Sequence, residues 1–267
     1  MIKNPFSRTF ILMSLLITAM LVSCGNEYDE TSAVDEPVVA ADTLYTDWKT
    51  YSYGNIKILY PEGHPHADNL YDMANRYAAV MRQDCLFLGI DPPTDTVNIY
   101  FYTGFGQGRK MTGEDYPFAD SLGLHFWLPG YYGLPMVKYL IPRWQPAEPW
   151  HKFLKHGLLA LLDNTGENYH VKTLEYINNS EFIHLRDLAV DTTIDANTER
   201  VQSAMAASFV DFIVYFYGIN GLNSLYVSDK DFDTTVESIF RFSVDSLENT
   251  WLNVIREMDF EAGTAGE

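Results

Sequence analysis

The first 24 residues constrain the fold most, because they decide which part of the chain must form a core. Lys3 and Arg8 supply positive charge, and an apolar run of about 13 residues follows from Phe10 to Val22. That run is short for a membrane span and has the length of a signal-peptide h-region. Leu21-Val22-Ser23-Cys24 fits the lipobox pattern, an apolar residue and two smaller residues before a cysteine. We predict that residues 1–23 are a lipoprotein signal peptide and that Cys24 is the lipidation site.

An acylated cysteine implies a lipid bilayer as partner, because several acyl chains together anchor a protein stably. The alternatives are a retained signal anchor or a cleaved signal of a soluble secreted protein. Residues 24–42 are polar and acidic and are expected to form a disordered tether. Acidic residues directly after a lipid-bearing cysteine resemble the surface-export signals of some Gram-negative phyla. We therefore expect the outer membrane of a Gram-negative bacterium, with the cell surface as one option and the periplasmic face as the other.

The charge and the cysteines limit what the rest of the chain can be. The signal contributes two of the 18 basic residues and none of the 36 acidic ones, which leaves a net charge of about −20. So acidic a body argues against binding to nucleic acid or to anionic lipid. With Cys24 lipidated, Cys85 is the remaining cysteine, so no intramolecular disulfide can form. We expect Cys85 to be a buried thiol on a helix whose pKa is raised by the adjacent Asp84.

The hydrophobic patterns predict strands first and helices afterwards. Strands are expected at residues 55–60, 96–102 and 122–128, with a helix over residues 66–88 between the first two. Helices are expected after residue 135, at residues 136–141, 149–163, 171–177, 182–190, 198–217, 232–242 and 244–258. This order indicates an α+β fold, with a small N-terminal sheet, a packed helix and a mainly helical C-terminal half. We expect one body over residues 43–260 and a disordered tail over residues 261–267, with no later stretch long and apolar enough to span a membrane.

The glycine-rich stretch after the second strand does not fit a phosphate-binding loop. The stretch covers residues 104–108. Just after it, Lys110 is followed by Met111, where a P-loop requires Ser or Thr. A dinucleotide-binding loop must open a helix, whereas residues 110–114 are interpreted as a loop. We therefore expect a flexible connection beside the edge of the sheet.

The histidines do not form a standard zinc site. The chain contains no HExxH sequence, in which two histidines on one helix face bind zinc and the glutamate acts as base. His151 and His156 share a predicted helix, but five residues at 100° each place them about 140° apart. The alternative is a non-standard metal site in which His125, His151 and His156 converge with Glu148 or Asp163.

Several segments nevertheless resemble the peptidase MA-like gluzincins, a family of extracytoplasmic zinc metallopeptidases. The likeness covers about 200 residues. In the first half it rests on residues 56–61, 88–90 and 97–102. In the second half it rests on residues 153–160, 202–210, 217–218 and 246–251. The resemblance implies the fold of this family and a cleft.

The same resemblance implies that the peptidase chemistry has been lost. Residues 153–160 are similar to the family helix that reads roughly W-L-x-E-G-L-A and supplies a zinc ligand as its glutamate, and His156 stands at that position. The upstream helix that should carry HExxH corresponds to residues 136–141, which contain neither histidine nor glutamate. No zinc ligand or catalytic base carries over, so we expect no cofactor and no catalytic residue.

A binding role is the first hypothesis that remains. Five aromatic residues lie close together in sequence between the last predicted strand and the central helix and could hold a peptide or glycan: Trp127, Tyr131, Tyr132, Trp144 and Trp150. Packing in the core is the competing interpretation of these side chains. Two other functions stay open, a metal-dependent hydrolase that uses the three histidines, with zinc as the metal, and a scaffold subunit of an envelope complex.

Overall fold

The computed structural model describes residues 45–127, 133–190 and 199–264, with the side chains of the last helix described up to Glu257. All of these residues belong to one compact unit. The predicted signal peptide, Cys24, the tether, Tyr131 and Tyr132 lie outside the described residues. The predicted tail lies partly outside, since the last helix continues to Thr264 and residues 265–267 are not described.

A five-stranded mixed sheet forms the N-terminal part of the body. The strands are β1 (Lys49–Tyr53), β2 (Ile56–Tyr60), β3 (Val97–Phe101), β4 (Phe118–Ala119) and β5 (Leu124–Phe126). Their order in the sheet is β1-β2-β3-β5-β4, with β2, β3 and β5 parallel and the two edge strands antiparallel to their neighbours. The α+β class and the small N-terminal sheet are confirmed. The sequence patterns missed the two edge strands, because β1 is largely exposed and β4 has only two residues.

The two faces of the sheet bury different kinds of side chain. Strand β3 alternates with a period of two, so that Ile99 and Phe101 enter the main core while Tyr100 and Tyr102 point to the opposite face. The main core lies against helix α1 (Leu70–Leu88), whose buried residues recur at helical spacing. The opposite face forms a second cluster made mainly of aromatic rings.

Helix α1 ends where the sequence predicts. Gly89 has a left-handed φ of 67°, and the backbone N–H groups after Leu88 bond to the carbonyls of Cys85 and Leu86. Cys85 is buried on this helix as expected, and its pKa is raised to about 11, first by burial and then by the charge of Asp84.

The glycine-rich stretch is a helix, so its interpretation as a loop was wrong. Helix α2 (Phe105–Thr112) begins after Gly104, and the Gln107 side chain accepts a hydrogen bond from the backbone N–H of Thr103 at 2.7 Å. Gly108 allows a close approach to Trp127, because an added Cβ would lie 2.4 Å from the indole ring. A glycine at this position therefore allows helix α2 to pack closely against the Trp127 indole.

The C-terminal half is helical. Its elements are α3 (Gly133–Trp144), α4 (Lys152–Leu161), α5 (Tyr169–Asn178), α6 (Leu185–Val190), α7 (Glu199–Tyr226), α8 (Phe232–Phe240) and α9 (Val244–Thr264). Helices α4 and α7 cross in backbone contact, because a Cβ on Gly157 would lie 2.4 Å from the carbonyl oxygen of Ala206. This crossing positions the N-terminal end of α4, where the candidate site lies.

Helix α7 is long and apolar enough to cross a membrane by length and composition alone, contrary to the expectation from sequence. Half of its most apolar window is buried within the body, including Met205, Phe209 and Phe212. It also bends at Gly218, whose φ of 72° and ψ of 174° are not helical. These features are those of the central core helix of the body, and no membrane is required to explain its composition.

Candidate functional site

A solvent-open cleft lies where the N-terminal ends of α4 and α8 meet helix α6. Its volume is about 530 Å³. The residues that line it are Trp150, His151, Arg186, Ala189, Val190, Asp231, Phe232 and Asp233. Two of them, Trp150 and His151, are predicted site residues. The others come from α6 and α8, which are distant in sequence.

Trp150 is the most accessible aromatic side chain of this cleft. It immediately precedes the first turn of α4 and is 68% exposed, while Val190 is 78% exposed. Large apolar side chains that stay in water next to a concave surface are typical of binding sites. Trp150 is therefore the member of the predicted aromatic site that lies open to solvent beside this cleft.

His151 lies beside Trp150 but is 97% buried, since only 3% of its surface is exposed. Its Nε2 donates to the carbonyl oxygen of Lys230 at 3.1 Å, and its ring meets Phe232 edge to face at 5.1 Å. Because a carbonyl oxygen only accepts, Nε2 carries the proton and Nδ1 carries a lone pair in the neutral ring. Within the described part of the chain, this buried Nδ1 has no hydrogen-bond partner.

The charged side chains at the cleft are dominated by carboxylates. Arg186 forms a bidentate ion pair with Asp233, in which Nη2 lies 2.7 Å from Oδ1 and Nε lies 3.1 Å from Oδ2, and it also pairs with Asp245. Asp231 caps α8 by accepting from the backbone N–H of Thr234 at 2.9 Å. That hydrogen bond to the Thr234 backbone lowers the pKa of Asp231, so the carboxylate is ionised at neutral pH.

His125 occupies a different place, on the aromatic face of the sheet. Its ring lies nearly parallel between those of Tyr100 and Phe118, with centroids at 4.6 and 4.3 Å, because these residues are its register neighbours in β3 and β4. Both ring nitrogens are engaged: Nε2 lies 3.1 Å from Asp120 and Nδ1 lies 2.8 Å from the Tyr102 hydroxyl. Burial lowers the pKa of His125, against the opposing effect of Asp120.

The hydrogen bonds around His125 form a chain with one direction. The Asp120 oxygen also accepts from two backbone N–H groups, so His125 must donate to it through Nε2. Tyr102 then donates to Nδ1, and the Tyr45 hydroxyl donates to the Tyr102 oxygen at 2.7 Å. This chain joins β3, β4 and β5 to the segment that enters the body.

The structure does not bring the three candidate histidines together as a metal site. Among residues 45–127, 133–190 and 199–264, no group of three or more His, Cys, Asp and Glu side chains is arranged to hold a metal. His156 lies on α4, half-buried, and its pKa is lowered by burial and then by the charge of Lys155. Glu148, the suggested additional ligand, forms an ion pair with Lys155 instead.

The described tryptophans of the predicted aromatic site have three different environments. Trp127 is buried against Tyr102, at a centroid distance of 4.7 Å. Trp144 packs edge to face against Tyr226 in the main core at 4.9 Å. Only Trp150 is both described and open to solvent. The competing interpretation as core packing therefore holds for Trp127 and Trp144.

Sequence reasoning missed a hydrogen-bonded cluster formed by α5, α7 and α9. His170 Nε2 lies 2.9 Å from Asp211 and its Nδ1 lies 2.8 Å from the Ser208 hydroxyl, which accepts from Trp251 Nε1 at 3.0 Å. Ser208 is fully buried, so its hydroxyl is not available as a nucleophile for a substrate. The cluster joins three helices. No local sequence motif predicts it, because its members are far apart in sequence.

Comparison with known proteins adds no relative. No family model, no curated protein and no solved structure matches this chain. The likeness to the gluzincins therefore rests on the sequence segments described above and stays a prediction.

Proposed function

We propose that this protein is a lipid-anchored, extracytoplasmic binding protein whose cleft beside Trp150 holds a short peptide segment of an envelope partner. The observation that carries the proposal is the exposed indole of Trp150 at the rim of a concave, largely apolar surface. Exposed tryptophans of this kind are the side chains that most often dominate binding energy.

The lining favours a peptide over a glycan. Ala189, Val190 and Phe232 offer apolar contact to an inserted side chain. The planar polar groups that could recognise sugar hydroxyls, those of Arg186 and Asp233, are already hydrogen-bonded to each other. A ligand rich in hydroxyl groups would have to break that pairing, whereas an apolar side chain would not.

Two features support binding without peptidase chemistry. The chain contains no HExxH sequence, and Lys152 and Phe153 stand where an HExxH aligned on His156 would need histidine and glutamate. His125 already has partners for both ring nitrogens. Stoichiometric zinc in the purified protein that disappears in a His156→Ala variant would contradict this part of the proposal and favour the hydrolase alternative.

The test of the cleft is a selection of displayed random peptides on the immobilised mature protein, with counter-selection on a Trp150→Ala variant. Removal of a central tryptophan typically costs about 2 kcal/mol, so selected peptides are expected to bind the variant roughly 30-fold more weakly. Tyr215→Ala is the matched control, because Tyr215 is also 75% exposed but lies on α7 away from the cleft lining. Binders that are insensitive to Trp150, or glycans that bind through Trp150 where peptides do not, would overturn the proposal.

The anchor is tested independently through Cys24. We expect the wild-type protein to incorporate an alkyne-tagged palmitate in cells and a Cys24→Ser variant to lose that label. Cys85→Ser is the control and should keep the label, since the Cys85 thiol is buried. Label that persists in Cys24→Ser would refute the lipid anchor. Protease shaving of intact cells then distinguishes the cell surface, where the body is removed, from the periplasmic face.

A further inference from the structure

We infer that the group bound in the cleft is the positively charged side chain of a lysine or arginine in the peptide. The inference rests on the proposed function of the cleft and names its ligand class. It draws on three independent features, the charge balance, the unpaired nitrogen of His151 and the shape of the lining.

The charge balance favours a cation. Arg186 pairs with Asp233 and Asp245, and Asp231 also lines the cleft, so these three carboxylates exceed the one guanidinium by two negative charges. The Asp231 carboxylate accepts instead from the Thr234 backbone N–H at the start of α8. A cationic ligand relieves this excess, and an anionic ligand adds to it.

The nitrogen of His151 favours a hydrogen-bond donor. The His151 ring lines the cleft, its Nε2–H is used by the carbonyl of Lys230, and its buried Nδ1 lone pair has no partner among the described residues. A buried acceptor without a donor carries a desolvation cost. Ammonium and guanidinium groups bring several donors and no acceptor, so they can pair with this nitrogen, whereas a neutral alkyl side chain cannot.

The lining suits the rest of such a side chain. Lysine and arginine have an apolar stem below a charged head, and Val190, Ala189 and Phe232 offer apolar surface along the cleft. The exposed face of the Trp150 indole is the preferred aromatic partner of a cation. Stem and head group thus find complementary surfaces within one cleft.

The test uses acetylated and amidated Gly-Xaa-Leu-Gly peptides in which Xaa is lysine, norleucine or glutamate. Norleucine matches the lysine stem and lacks the charge. Titration into the full mature protein, followed by the indole N–H resonances, is expected to give binding about tenfold tighter for lysine than for norleucine, with glutamate weakest. Trp150→Ala should abolish the shifts, and Tyr215→Ala should leave them unchanged.

Asp231→Asn tests the charge without removing the helix cap, because asparagine caps helices as well as aspartate does. We expect the preference for lysine over norleucine to fall several-fold in this variant. Equal binding of lysine and norleucine, or no shift with lysine at millimolar concentration, would overturn the inference. Library peptides that depend on Trp150 but show no enrichment of lysine or arginine would overturn the inference and leave the proposed peptide cleft in place. Library peptides without any dependence on Trp150 would overturn the cleft itself.

Discussion

Asp84 makes the stability of this protein depend on pH in an unusual direction. It lies on α1, is 1% exposed, and its Oδ2 has no hydrogen-bond partner among the described residues. Burial raises the pKa of Asp84 from 3.8 to about 7, with only partial compensation from a hydrogen bond to Asn164. The folded state therefore binds this proton more tightly than the unfolded state does, so the free energy of unfolding should fall as the pH rises from about 4 to 7.

The magnitude follows from the two pKa values. With a pKa of about 7 when folded and 3.8 when unfolded, lowering the pH from 7.5 to 5 stabilises the fold by roughly 2.5 kcal/mol through Asp84 alone. An Asp84→Asn substitution replaces the acid with a neutral group of the same shape. We expect this variant to be more stable than the wild type at pH 7.5, by an amount that shrinks toward pH 5.

Urea unfolding followed by tryptophan fluorescence at pH 5, 6, 7 and 7.5 measures the difference, because urea does not screen charges. A change of about 2.5 kcal/mol corresponds to a shift of roughly 1 M in the urea midpoint. Asp91→Asn is the control, since Asp91 is exposed just after α1. If the stability difference between Asp84→Asn and the wild type stays constant with pH, Asp84 is ionised in the folded protein and the reasoning fails.

Two further predictions concern the helical half. Ser208→Ala leaves the buried Trp251 indole N–H without its acceptor, which should cost about 1–3 kcal/mol in urea unfolding. The double variant with Trp251→Phe should lose less stability than the sum of the two single losses, and strictly additive losses would contradict the coupling. Gly157→Ala forces a Cβ to within 2.4 Å of the Ala206 carbonyl oxygen, so overpacking of about 1–3 kcal/mol should outweigh the gain in helix propensity and lower the melting temperature in circular dichroism. Gly106→Ala, in a helix with open space at that position, is the control and should be neutral or stabilising, and an unchanged melting temperature in Gly157→Ala would refute the close crossing.

The local patterns were sufficient for most of the fold. Helix α1 was predictable because apolar residues recur along one face and Gly89 stops it. Strand β3 was predictable because it is largely buried on both faces, which gives an apolar and aromatic run interrupted only by Asn98. The short edge strand β4 has no such run, and it is fixed by pairing with β5. Helix α2 was missed because glycines weaken the helical signal, while its packing against Trp127 requires one of them.

The candidate site was predictable only in part. Trp150 and His151 stand out because an aromatic residue and a histidine precede a strongly apolar helix. Their counterparts Arg186 and Asp231 come from helices 35 or more positions later, and local spacing carries no information about such a juxtaposition. The sequence also could not predict that Trp150 is exposed while Trp127 is buried, because the exposure of a side chain depends on the packing of the neighbouring elements.

Three histidines link these observations, since the fold uses each of them as a hydrogen-bonding group. His125 bridges a carboxylate and a tyrosine, His170 bridges a carboxylate and a serine, and His151 holds a backbone carbonyl. A metal ion binds a histidine through a free lone pair, so at His125 or His170 it would have to displace a partner that the fold already employs. His151 differs from the other two because its Nδ1, beside the cleft, has no hydrogen-bond partner among the described residues. A ligand that donates a hydrogen bond would satisfy that nitrogen, which supports the proposed binding role of this cleft.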